Sequence, residues 1–303
     1  MSLLRPVSPV DLLFLGAVGL LLVATLAARF DRGVSMRRAG VAGWGLFTAF
    51  WAITALAYLL DARYLLGTIG LATVVVAAYA GVLVHAGRPE GTRLTVAFTV
   101  MGLLFVPYEW LEPVHRAALD AVTAATAWGL GAIGLDPIVL TGPAGYSNVI
   151  AFPGIPLSHA VSIVSACSGI SAVALFVGLI AATDATLRRR AVAALGIAAI
   201  IYLLNLVRTV FVAGALGGQW FSFAAGPVGA IWGVSDPEMV SYYLAEYVVA
   251  QVLVVLVLLA VYRQYARVFP ELQSLVGGLT SRFVSALRGL RRGGAPDHAP
   301  GQR

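Results

Sequence analysis

The sequence predicts an all-α polytopic membrane protein of about seven transmembrane helices, or eight. Three observations carry that reading. The 303 residues are 60% hydrophobic and only 11% charged, where a soluble globular chain is about a quarter charged. Mean hydropathy is +0.90. Apolar windows of roughly 18 residues or more, the length that crosses a bilayer as a helix, recur along the chain.

Seven spans are expected, at about 10–28, 40–60, 65–85, 94–111, 161–183, 191–215 and 241–262. The first is too long for the h-region of a signal peptide, and Arg residues rather than a small-residue cleavage site follow it, so it stays as a span. All 20 basic residues are Arg. Arg29, Arg32, Arg37 and Arg38 follow the first span, Arg88 and Arg93 the third, Arg188, Arg189 and Arg190 the fifth, and seven more lie beyond Tyr262. These alternate loops are cytoplasmic by the positive-inside rule, which leaves the N-terminus outside and the C-terminus inside. Arg5, Arg63 and Arg116 fall on the opposite side.

The stretch Leu111–Leu135 tests this topology. A single crossing there would put the Arg loops of the two halves on opposite sides, so it is expected to lie as an amphipathic helix in the outer interface, with Trp128 at headgroup level. Asp136–Ala160 is rich in Gly and Pro, lacks a helical period and reads as an outer loop. Gly217–Ser241 reads as a second, with Trp220, Phe221, Phe223 and Trp232 as interface anchors. From Arg263 to Leu290 a basic amphipathic helix is expected on anionic lipid, and a disordered end follows. Four regions result: a four-span region 1–110, the outer helix and loop 111–160, a three-span core 161–262 and a cytoplasmic tail 263–303.

Three odd residues share one depth. Cys167, the single cysteine, comes six residues into the fifth expected span, about 9 Å at 1.5 Å per residue. Arg208 stands equally far from the outer end of the sixth, and Glu246 and Tyr247 fall at the same level of the seventh. An Arg inside a span costs about 2.5 kcal/mol or more, which marks a functional site. A guanidinium beside a thiol favours the thiolate, so Cys167 is a candidate nucleophile without a histidine base. Ser165, Ser168 and Gly169 keep the chain thin around the sulfur. Asn205, one turn from Arg208, offers an amide to orient a substrate or the guanidinium. Arg208 could also hold an oxyanion. His159 would stand about 12 Å from Cys167 on a continuous helix, so direct pairing needs a break. The plainer readings are a small apolar Cys and an Arg208–Glu246 pair that is purely structural.

One cysteine excludes an internal disulfide and a multi-thiolate metal site. No cofactor and no metal are expected. Nucleic acid is not an expected partner, since no solvated basic domain exists to bind it.

The motif ACSGISA, with Asn205 and Arg208 in LLNLVRTVFVAG on the next span, resembles the exosortase/archaeosortase family and is nearest in look to the archaeosortase A type of haloarchaea. The likeness covers Ser158–Tyr262 well, and the paired motifs are specific together. The resemblance implies a multi-pass plasma-membrane cysteine transpeptidase, or thiol protease, whose active site faces outside. Such enzymes cleave a C-terminal tripartite sorting signal of a short motif, an apolar span and a basic end. In the archaeosortase A type the motif is Pro-Gly-Phe and surface-layer glycoproteins are among the substrates. It further implies a thioester on Cys167, transfer to a lipid acceptor, and Arg208 as proton donor or charge stabiliser. The family has a His or Arg at a third position, near the start of the last span. This chain has neither between Arg208 and Arg263, and Tyr247, next to Glu246, stands there by position. Two other classes stay open: a relative that binds sorting helices without cleaving them, and a non-enzymatic scaffold or transporter.

Overall fold

The computed structural model describes residues 4–30, 33–61, 63–227, 236–270, 277–278 and 281. Arg32, Trp232, most of the expected tail helix and the expected disordered end lie outside the described residues. The molecule is a helical membrane protein with one small sheet.

The first four helices are α1 (Pro9–Arg29), α2 (Gly33–Leu60), α3 (Tyr64–His85) and α4 (Pro89–Trp110). Local chemistry sets their ends. Ser8 and Asp11 form a reciprocal capping box at the start of α1, with Ser8 N donating to Asp11 Oδ2 at 2.8 Å and Asp11 N to Ser8 Oγ at 3.2 Å, which satisfies two otherwise orphaned amides. Gly87, at φ +65°, turns the chain between α3 and α4 in a conformation a side chain disfavours. α1 packs on α2 and α4, and α3 packs on α2 and α4, closing a four-helix bundle. Its centre is aromatic: Phe14, Trp44, Phe47 and Phe98 are buried together, and the rings of Phe47 and Phe98 lie 4.1 Å apart.

Pro107 in the last turn of α4 and Pro113 at the head of α5 (Glu112–Ala132) interrupt the helical ladder on either side of Leu111. α5 is amphipathic as expected. It buries Leu119, Val122, Thr126 and Leu130, while Trp128 is 77% exposed. α5 packs on α4 and α7.

The outer loop is not irregular throughout. β1 (Ile138–Leu140), β2 (Val149–Ala151) and β3 (Val161–Ser162) form an antiparallel sheet in that order, with Ile138 opposite Ala151 and Ile150 opposite Val161. β3 is where the structure departs most from the sequence expectation. Residues 161–183 are not a continuous helix. Val161–Ser162 pair with β2, Ile163 N donates to Asn148 O at 2.7 Å, and Asn148 Nδ2 returns a bond to Ile163 O at 2.9 Å. Helix α6 starts only at Ile170 and runs to Ala181. Hydropathy cannot separate the two cases, because Val161, Ile163 and Val164 are as apolar as helix residues and suit a strand better.

α7 (Leu187–Gly217) follows, then α8 (Pro237–Leu244), a π-helical turn (Ala245–Val249) and α9 (Ala250–Val268). The last apolar helix thus begins at Pro237, four residues before the expected start, which shortens the second outer loop. Trp220 and Phe221 pack on Phe211 at 5.8 and 6.3 Å between rings; Phe223 is exposed. Among the described residues, six helices are long and apolar enough to cross a membrane, and α6 is a shorter apolar one. α5 is not among the six.

α6 is fixed between α4 and α7. A Cβ on Gly178 would lie 2.3 Å from Ala97 O, so α4 and α6 touch backbone to backbone. Small residues permit such contact between apolar helices.

Candidate active site

Cys167 stands on a single 3-10 turn, Ser165–Ser168, between β3 and α6. The small polar residues around it build that turn. Ser168 Oγ donates to Ser165 O at 2.7 Å and accepts from Ile170 N at 3.2 Å, closing the turn and capping α6 together. Cys167 N donates to Val164 O at 2.8 Å. Gly169 follows at φ +70°, and a Cβ there would sit 3.3 Å from Asn205 Cβ. Both the dihedral and the contact call for glycine. Ser168 therefore shapes the turn, and the thinness expected around the sulfur serves α7, which lies directly against it.

From α7, Asn205 Nδ2 donates to Cys167 O. The expected role of this amide, orienting a substrate or the guanidinium, is replaced by a bond to the backbone of the turn. Thr209 Oγ1 donates to Asn205 O at 2.9 Å. Arg208 pairs with Glu246, and both side chains are largely buried, at 16% and 21% exposure. Glu246 belongs to the π turn, a form common where a helix must re-aim a side chain at a functional site. Cys167 lies within electrostatic reach of both Arg208 and Glu246. The shared depth of the three segments is thus a real juxtaposition. Its electrostatics differ from those of a lone guanidinium, since the Glu246 carboxylate opposes the field of Arg208 at the sulfur.

Tyr247 is 58% exposed and stacks on Tyr243, with ring centroids 5.7 Å apart and planes 20° apart. Tyr242 is half-buried against the same cluster as Cys167 and interacts electrostatically with Glu246, Cys167 and Arg208. Sequence reasoning passed over it; its spacing of four residues from Glu246 was the available signal. Tyr108 was also missed. It is 5% exposed, and its hydroxyl lies beside the side chains of Ser165 and Ser168 and within electrostatic reach of Cys167.

His159 does not reach Cys167. The chain between them is extended or in 3-10 turns, so the break exists, but the ring turns to Asp236 and Glu238, at 2.9 and 3.3 Å. His115 is buried, with Nδ1 3.2 Å from Tyr108 O and 3.3 Å from Arg5. Beside it Tyr146 donates to Glu112 Oε2 at 2.8 Å. Burial and that carboxylate push the Tyr146 phenol up from its ordinary value, so it stays a donor.

Below the Cys167 turn an apolar groove of about 270 Å³ opens between α6, α7 and α9, with Gly169, Asn205 and Arg208 at its polar end and Ile201, Leu253 and Val257 among its walls. The paired guanidinium of Arg208 therefore lies at the polar end of a groove that suits an apolar chain, and the Cys167 turn adjoins it through Gly169 and Asn205. Thiol and guanidinium together could attack a carbonyl and stabilise the charge that develops.

The transmembrane exosortase family model matches residues 10–234, a range that includes Cys167, Asn205 and Arg208 and stops before the last helix. Archaeosortase A of Haloferax volcanii is 32% identical over 278 residues, 88% of this chain and 91% of that protein. Archaeosortase A of Natronomonas pharaonis is 34% identical over 271 residues, 86% of this chain and 84% of that protein. No solved structure matches. With a family model spanning most of the chain and relatives aligned almost end to end, this protein belongs to the transmembrane exosortase family and is a sorting transpeptidase of the membrane in general type.

Proposed function

We propose that the chain is a cysteine transpeptidase that cleaves C-terminal sorting signals of exported proteins, of the Pro-Gly-Phe type found on surface-layer glycoproteins, and transfers them to a lipid acceptor. The observation that carries this is the Asn205–Cys167 bond beside the Arg208–Glu246 pair, which ties the backbone of the single cysteine to the helix that carries a largely buried guanidinium. The plasma membrane, with the N-terminus and site outside and the C-terminus inside, fits the Arg distribution.

In this mechanism the Cys167 sulfur attacks the scissile carbonyl. The S–C bond forms, the C–N bond breaks, and the departing amine takes a proton that the thiol gave up. Arg208 stabilises the oxyanion or relays that proton. The thioester is then opened by a hydroxyl or amine of the lipid acceptor, which restores the thiol. The apolar groove fits the hydrophobic part of either partner. For the third position two phenols compete: Tyr247 holds it by register, and Tyr242 packs against the same cluster as Cys167.

The test is a strain lacking the gene, complemented with wild type or Cys167→Ala, carrying a reporter that ends in Pro-Gly-Phe, an apolar helix and Arg residues. Wild type should shorten and anchor the reporter and yield a hydroxylamine-labile adduct on Cys167; the variant should do neither. A wild type that binds the reporter and leaves it intact would instead support the non-cleaving relative. The absence of a basic third residue and the tie of Arg208 to Glu246 favour that second reading.

A further inference from the structure

At the sheet end of the molecule, away from Cys167, His159 sits with a carboxylate on each ring nitrogen. Nε2 is 2.9 Å from Asp236 Oδ2 and Nδ1 is 3.3 Å from Glu238 Oε2. A neutral imidazole has one N–H, so one nitrogen would meet a carboxylate oxygen lone pair to lone pair. A second proton on the ring or a metal ion between the ring and a carboxylate would resolve that contact.

The donor set suits a metal ion. One donor atom from each of the three residues falls within 4.8 Å of the others. Bonds of about 2.1 Å put neighbouring donors about 3 to 3.5 Å apart, so donors at the outer limit of that range close on an ion by moving together by about an ångström, within the reach of two half-exposed carboxylate side chains. Asp236 is already oriented: its Oδ1 accepts from Glu238 N at 3.1 Å, which leaves Oδ2 toward His159. The ring would give one nitrogen to the ion and keep its proton on the other. His159 is 16% exposed while Asp236 and Glu238 are 41% and 42% exposed, so the site has a protein wall and an open side for water ligands. Imidazole with two carboxylates suits Zn²⁺ or Mn²⁺ rather than an all-oxygen ion such as Ca²⁺.

We propose that His159, Asp236 and Glu238 form a divalent transition-metal site that clasps the strand segment leading to Cys167 onto the head of the last helix. His159 precedes Cys167 by eight residues, and Glu238 precedes Glu246 by eight. Gln219, at the end of α7, donates to Glu238 O at 3.1 Å and to Leu216 O at 2.7 Å, bringing the Arg208 helix to the same corner. The ion would set the spacing of the three segments that carry the thiol, the guanidinium and its carboxylate. The sequence reading expected no metal on the ground that one cysteine excludes a multi-thiolate site, and the three donors here lie on segments separated by α6 and α7.

The inference does not rest on the transpeptidase reading, and its test reads binding. Full-length protein in detergent, stripped with a chelator, is titrated with MnCl₂ and with ZnCl₂ by calorimetry and followed by thermal unfolding. One saturable site that raises the melting temperature is expected. His159→Ala and Glu238→Gln should each weaken it at least about tenfold, while Cys167→Ala leaves it unchanged. His159→Gln keeps one hydrogen bond to a carboxylate, so a well-folded His159→Gln protein that loses the metal separates ligation from folding. No saturable binding, or equal binding by the His159 variants, overturns the site. Tighter binding of Ca²⁺ than of either ion overturns the transition-metal assignment. Thermal stability that ignores both ions overturns it too.

Discussion

Asn205 holds the backbone carbonyl of Cys167 with its side-chain amide, so the helix that carries the guanidinium also fixes the turn that carries the thiol. Gly169 makes the bond reachable, since its left-handed backbone and missing side chain let the turn press against Asn205. Nucleophile geometry here is thus a backbone matter, set by α7.

Gly169→Ala should damage this arrangement in two ways. The left-handed conformation costs a non-glycine residue about 1–2 kcal/mol, and the new methyl would lie 3.3 Å from Asn205 Cβ. The expected outcome is a lower melting temperature in detergent and reporter processing reduced about tenfold or more. Asn205→Asp isolates the second effect: a carboxylate faces the Cys167 carbonyl where a donor stood, and an unsatisfied buried acceptor costs about 1–3 kcal/mol. Processing should fall with membrane insertion intact. Normal processing by both variants would show that the turn tolerates displacement.

The two phenols separate by hydroxyl deletion. Tyr247 is exposed and stacked on Tyr243, a contact that Phe preserves. Tyr242 is half-buried against the same cluster as Cys167 and lies within electrostatic reach of Cys167 and Arg208. Tyr242→Phe is expected to lower the single-turnover processing rate more than Tyr247→Phe does, by about tenfold, with similar expression. The reverse order would assign the third position to Tyr247, as register alone suggests.

Much of this was legible in the sequence, for reasons that also mark the limit. The spans stand out because burial in lipid demands long apolar runs. Arg208 and Glu246 stand out because charge there is expensive. The meeting of Cys167 with Arg208 followed from depth alone. The form of residues 161–168 did not, since strand and helix share the same apolar residues at that length, and what decides is pairing with Val149–Ala151, remote in sequence. Tyr108 and the pairing of His159 with Asp236 and Glu238 escaped for a similar reason. Their partners come from other elements, and no local spacing announces them.

Close packing behind the site gives a prediction about stability alone. Gly178 brings α6 against α4, where a methyl would lie 2.3 Å from Ala97 O. A backbone oxygen cannot move aside as a flexible side chain can, so Gly178→Ala must push the helices apart. Overpacking of this kind costs about 1–3 kcal/mol, and a lower melting temperature is expected. Gly19→Ala in α1, where nothing lies within 4 Å of the added methyl, should leave the melting temperature nearly unchanged and serves as the control.

The Arg208–Glu246 pair can be separated into structure and chemistry. Breaking it from one side leaves a buried charge unmatched, which costs about 3–5 kcal/mol for a fully buried pair; the partial exposure of 16% and 21% reduces that figure. Glu246→Gln and Arg208→Leu should therefore each lower the melting temperature. The double variant Arg208→Leu/Glu246→Leu replaces the pair with apolar volume and should recover most of the loss, because neither charge is then stranded. Processing should not recover, since no cation remains to meet the oxyanion. Arg208→Lys keeps the charge, restores much of the stability and should still fail to process, because an ammonium lacks the planar fork of the guanidinium. A double variant that both folds and processes would make the pair structural and remove Arg208 from the chemistry. A folded, inactive double variant alongside a folded, inactive Arg208→Lys would leave the guanidinium itself as the group the reaction needs.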